Sequence, residues 1–274
     1  PYDFGFNGTS DSHTGLPSTG EENFFGKFAG TEPSPDRHNR DVIPAADPKL
    51  RIITAQESAS GLTGVWAREN NRGEIFDALM RKEIFATTGT RLRVRLFAGW
   101  DFKPGDELVP DFAKLGYTRG VPMGGRLQSG STGAAPTFIV RAQRDPDWAN
   151  LDRIQIIKGW IGADGKAKER IYDVALSGDR KIGEDGRART PVGSTVNVQT
   201  ATFTNTIGAP LLSAYWRDPD FDPAQRAFYY VRVLEIPTPR WTTYDSVFFK
   251  VPLPERVPPT VQDRAYSSPV WYSP

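Results

Sequence analysis

"NRGEIFDALMRKEIFATTGTRLRVRLFAGW", residues 71–100, changes its hydrophobic period halfway along, and that change decides the fold. In the first half Ile75, Phe76, Leu79 and Met80 recur at helical spacing and fall on one face. Asn71 stands as the N-cap, with Glu74 three residues on in the capping-box position. These features predict a helix that stops near Glu83. "IFATTG" (84–89) then reads as a buried strand ending on a glycine. Helix, short turn and strand together make the tail of an α/β unit. From residue 91 the period is two: Arg91, Arg93 and Arg95 alternate with Leu92, Val94 and Leu96, as in a strand with one wet face.

Beyond this stretch the strand pattern repeats. Strands are predicted over 135–143, 151–162, 167–176, 194–204, 210–218 and 226–236, with Asp-Gly turns in "ADGKA" (163–167) and "EDGRA" (184–188). The fold class expected is mainly β: an antiparallel immunoglobulin-like β-sandwich over 91–274, preceded by an incomplete α/β segment over 1–90. The proline-rich end, 251–274, carries Trp271 and Tyr272 and is expected to pack on the body. Upstream, "FGFNG" (4–8) reads as one short strand, and 32–48 as a long proline-bearing loop.

Composition narrows the function classes. The chain has 274 residues, 38% of them hydrophobic and 24% charged, as in a folded protein. With 34 Lys and Arg against 33 Asp and Glu, the net charge of +1 implies neither nucleic acid nor an anionic membrane as a partner. No run approaches the ~18 apolar residues of a membrane span. Cysteine is absent, which excludes disulfides, thiolate metal sites and Cys nucleophiles and leaves the redox compartment open. The chain begins at Pro1 without a signal-like apolar run, so a processed chain or a fragment is expected.

Only two histidines are present. His13 lies two residues after Asp11 in "NGTSDSHTG" (7–15). At a strand end, residues i and i+2 point the same way, so Asp11 and His13 can present a carboxylate and an imidazole to one cation. The plainer alternative has Asp11 in a turn and His13 as an ordinary surface or core histidine. His38, in "PDRHNR", reads as a solvated loop residue, and nothing local folds Glu21 and Glu22 toward Asp11. "DPDFDP" (218–223) lacks the glycine and distal Glu of an EF-hand and reads as an Asx/Pro turn. Arg240, just after a strand, either binds an anion or stacks on Trp241.

Several segments in order carry a resemblance: "FNGTSDSHTG", "EENFFGK", "SGLTGVWARENNRGEIFDALMRKEIFATTGTRLRVRLFAGW", "ANLDRIQIIKGW" and "FYYVRVLEIPTPRWTTYDS". Through nearly its whole length the chain resembles a bacterial domain-of-unknown-function family, three-six-zero-four. That family in turn resembles the PHP (polymerase and histidinol phosphatase) metallohydrolases, in their carbaryl-hydrolase-like branch. The resemblance implies that residues 1–90 are the C-terminal end of a PHP-like barrel and that Asp11 and His13 match its last D-x-H metal motif. They would ligate zinc, manganese or iron, and a metal-bound hydroxide would attack a phosphoester or related small-molecule ester. The H-x-H motif and the remaining ligands would lie in a missing N-terminal half, so this portion alone is expected to be inactive. Arg240 would approach the substrate, and export to the periplasm is implied. The competing expectation is a non-catalytic β-sandwich module that binds a partner or a carbohydrate.

Overall fold

A computed structural model of the chain describes residues 3–16, 18–130, 133–253 and 255–274. In the long proline loop, β1 (Asp41–Ile43) and β2 (Ile52–Ile53) form a small two-stranded ladder. The stretch that decides the fold starts after β3 (Leu62–Val65), with helix α1 (Arg72–Met80) and strand β4 (Ile84–Thr87). The Asn71 side chain accepts the Glu74 N–H at 3.0 Å and caps α1 as expected. The face chosen for burial is different: Ala78 is fully buried, whereas Phe76 and Met80 are 59% and 66% exposed.

The period-two segment becomes β5 (Arg93–Gly99). Helix α2 (Phe112–Arg119) and the short strands β6 (Gly120–Pro122) and β7 (Arg126–Gln128) follow. Then come the long strands β8 (Thr137–Gln143), β9 (Leu151–Ile161), β10 (Ala167–Leu176), β11 (Leu211–Arg217) and β12 (Ala227–Glu235). The chain closes with β13 (Thr238–Pro239), helix α3 (Trp241–Phe249), β14 (Thr260–Val261), β15 (Arg264–Ser267) and β16 (Val270–Ser273). Five of the six strands predicted beyond residue 100 are present, as are those predicted at 84–89 and from 91. The segment 194–204 is not one of them, because the Thr195 hydroxyl holds the Thr204 backbone, donating to its carbonyl and accepting its N–H, and only the Asn197–Thr202 bridge forms. Residues 4–8 are not a strand either. Phe6 N–H donates to Ser268 Oγ and Gly8 N–H to Thr63 Oγ1, so side chains replace the ladder.

The molecule is mainly β, with antiparallel sheets and a curled half-barrel. The large sheet runs β10-β9-β12-β15-β4-β3, with β16 paired to β12 and to β7. The smaller sheet runs β11-β8-β5-β6. Among the ladders of the described residues only β16–β7 is parallel. One core lies between the two sheets: Val94, Leu96 and Ala98 of β5 meet Ile154 and Ile156 of β9 and Tyr229, Val231 and Val233 of β12. The hairpin of β3 and β4 joins this same large sheet through β15. Tyr272 is 2% exposed, so the C-terminal segment packs on the body. No helix among the described residues is long and apolar enough to cross a membrane.

Two buried polar clusters hold the sheets. Lys158 and Asp218 pair at 2.6 Å, and Tyr229 OH donates to the same carboxylate at 2.7 Å. "DPDFDP" is thereby a turn, with Asp220 N–H on Asp218 Oδ1 at 2.9 Å. The second cluster is acidic. Glu235 accepts from Thr90 Oγ1 and Asp263 from Thr88 Oγ1. Burial pushes the Asp263 carboxyl up to about 7, and burial with Asp263 nearby pushes Glu235 well above its usual range.

Removing one partner of a buried ion pair strands the other charge, so Asp218→Ala lowers unfolding free energy by about 3–5 kcal/mol in urea titrations. The raised acid has the opposite sign to an ordinary carboxylate. Folded Asp263 keeps its proton up to about 7, while the unfolded group, at the ordinary aspartate value of 3.8, releases it earlier. The native state therefore binds more protons across that window, and stability falls as pH rises through it. Asp263→Asn is expected to flatten this component of a Tm-against-pH profile.

Candidate functional site

The loop around Asp11 is built from hydroxyl turns. Ser12 N–H donates to Ser10 Oγ at 3.2 Å, and Leu16 N–H to Thr14 Oγ1 at 3.1 Å. Asp11 itself adopts a left-handed backbone with φ +47, a conformation that Asp tolerates better than most residues. This loop, not a strand, turns the two side chains toward each other: His13 Nε2 lies 3.3 Å from Asp11 Oδ1. The loop is anchored by His13 N–H donating to Lys27 O at 2.9 Å, and the imidazole meets the Phe28 ring edge-on at 4.9 Å.

The Lys27 ammonium bonds the other oxygen of Asp11. Lys27, more than His13, holds the Asp11 carboxyl below the usual carboxylate range. Asp11 and His13 are both exposed. A catalytic metal centre takes at least three protein ligands and an open position. Among the described residues no group of three or more His, Asp or Glu is placed to hold a metal. The pair fits two corners of such a centre and is one donor short, so no reaction step is drawn through a metal from these residues.

Glu57 joins this neighbourhood from the segment before β3. Both its carboxylate oxygens are buried without a hydrogen-bond partner. Burial raises its pKa, and the charges of Lys27 and Arg37 act against that rise. Its backbone carbonyl does separate work, accepting from Arg240 Nη2 and from Trp241 Nε1. Glu57 thus lies between the Asp11–Lys27 loop and Arg240. Arg240 is 8% exposed, donates also to Ala55 O at 2.8 Å, and lies over the Trp241 ring at 5.6 Å. Its Nη1 is buried without an acceptor.

Helix α3 organises the rest. Glu21 is 3% exposed and folds onto the start of α3, where its carboxylate accepts Trp241 N–H at 2.7 Å and Ala59 N–H at 2.9 Å. A carboxylate there satisfies an orphan donor and opposes the positive end of the helix dipole. Arg37 is 2% exposed and forks onto Asp245 of α3, with Nη2 2.8 Å from Oδ1. It also donates to Phe24 O at 2.8 Å and lies 4.5 Å over Trp241. His38 is half-buried beside Arg37, with Nε2 2.9 Å from Asn39 Nδ2.

The sequence reading singled out Asp11, His13 and Arg240 but not Lys27, Glu57 or Arg37. Nothing local marks these three: the partners of Lys27 and Arg37 are distant in the chain, and Glu57 is marked only by the burial of its side chain. The family model described as "Protein of unknown function (DUF3604)" matches residues 1–274. The chain belongs to that family. No match is found among the curated proteins, and none among the solved structures.

Glu21→Ala removes the acceptor of two buried backbone donors. It is expected to cost about 1–3 kcal/mol of stability in urea unfolding, and to loosen α3 in amide hydrogen exchange.

Proposed function

We propose that the chain is the C-terminal portion of a PHP-type metal-dependent hydrolase acting on a phosphoester or related small-molecule ester. In this reading residues 1–90 are the end of the barrel, residues 91–274 form an immunoglobulin-like sandwich that buttresses it, and the protein works in the periplasm. The observation that carries it is the approach of Asp11 Oδ1 and His13 Nε2 to 3.3 Å on an exposed loop. A carboxylate and an imidazole set side by side suit a borderline divalent ion such as zinc, manganese or iron. The other ligands come from a preceding N-terminal half, so this portion alone is inactive. When bound, the metal supplies Lewis acidity and an activated water.

The residues of this chain have defined parts. Lys27 keeps Asp11 ionised, and the Phe28 edge and the Lys27 carbonyl hold the His13 loop in place. Exposure of the pair leaves room for both a metal and its substrate. Arg240 steadies the carbonyls of Ala55 and Glu57 from behind, and it would meet an anionic substrate only where its buried Nη1 is uncovered.

The test joins this chain to its N-terminal half and measures bound metal together with hydrolysis of phosphate, sulfate and carboxylate esters. Asp11→Ala and His13→Ala are each expected to lower metal affinity and rate by at least about a hundredfold, the upper range seen for outer-shell partners alone. If the joined protein holds no metal and Asp11→Ala leaves it unchanged, the hydrolase reading fails.

A further inference from the structure

We propose that the outer face of the large sheet binds an acidic sugar unit on a platform made by Phe228 and Trp271. The site is independent of Asp11 and His13. Cross-strand registers place Glu169, Gly159, Phe228, Trp271 and Arg126 in one row across β10, β9, β12, β16 and β7. Directly paired residues share a face of a sheet. Since Ala227, Tyr229 and Val231 of β12 point into the core, this row points away from it.

Gly159 makes the hollow. A Cβ at that position would lie 2.2 Å from Phe228 Cζ, so the Phe228 ring rests over bare backbone. The Trp271 ring stands 5.3 Å from it at 44°, and Phe4 supports Trp271 edge-on at 5.7 Å. A cavity of about 680 Å³ opens over these rings. That volume lies in the range of small-ligand sites, which combine apolar walls with a few polar groups.

The polar groups decide the ligand. Arg126 is paired with Asp3 at 2.7 Å and Lys168 with Asp164 at 3.0 Å. Arg226 and Glu169 also line the cavity, and neither enters an ion pair among the described residues. Trp271 Nε1 is buried without an acceptor. Two aromatic surfaces suit the C–H face of a pyranose ring. The Glu169 carboxylate accepts from ring hydroxyls, and the free Arg226 guanidinium calls for a carboxylate on the ligand. A uronic acid unit of an oligosaccharide meets all of these requirements, whereas a neutral sugar leaves Arg226 unmatched.

The experiment is isothermal titration calorimetry of this chain, without added metal, against an oligogalacturonate and a neutral cello-oligosaccharide of equal length. The oligogalacturonate is expected to bind at least about tenfold more tightly than the neutral chain. Arg226→Glu, an exposed change, is expected to remove that preference with Tm unchanged, and Phe228→Ala to weaken both ligands. Absence of oligogalacturonate binding, equal binding of the neutral chain, or undiminished binding by Arg226→Glu would overturn the proposal. None of these results depends on the hydrolase reading, since no metal ligand takes part.

Discussion

A single hydroxyl lets one strand serve two partners. Along one edge β12 is bonded to β9, but along the other it pairs first with β16 and then with β15. Between those ladders the chain turns back through Ser267 and Ser268, and a buried N–H at the switch must still find an acceptor. Ser267 Oγ supplies it, taking Val231 N–H at 2.9 Å, while Ser268 Oγ donates to Ile84 O at 2.8 Å. With that gap bridged, Tyr229, Val231 and Val233 stay fully buried on one face. The opposite face is then free to carry Phe228 and Tyr230, whose rings stack at 13°.

The β-rich fold was legible where side chains act on near neighbours. The alternation in "RLRVRLFAGW" and the Asp-Gly turn between β9 and β10 specify strand and hairpin locally, and the structure has both. Helix α3 was not legible. "WTTYDSVFF" is rich in aromatic and β-branched residues, poor local helix formers, and the carboxylate at its start belongs to Glu21, 220 residues away. Helix α2 hid for a related reason: Gly116 sits inside it, packed so closely that a Cβ would lie 2.4 Å from the Phe97 ring. For α1 periodicity identified the element but not its buried face, because Ala78 alone fits against the body. The Ser/Thr run at 194–204 shows the converse, with hydroxyls competing for the backbone and winning.

The candidate site divides in the same way. Asp11 and His13 were visible as a spacing, and they do face one another, although a left-handed residue in a loop brings them together where strand parity was expected to. Lys27 escaped notice because lysines are common and its partner is 16 residues away. Glu57 is more informative than either. A carboxylate with both oxygens buried and unpaired is costly, and such costs gather at places where a protein does something. Arg37, buried and forked onto Asp245, ties the N-terminal loops to α3. The loop around Phe24 therefore rests on contacts made late in the chain.

The hairpin of β3 and β4 has an implication for biogenesis. Its seat in the large sheet is β15, and the bond from Ser268 to Ile84 spans 184 residues. A polypeptide emerging from the ribosome must hold Ile84 and Phe85 without their β15 partners until residues 264–268 have been synthesised. Such distant pairing slows folding and lengthens the time that sticky edges stand open. Synthesis of the β15 segment therefore gates the seating of β4 in its sheet.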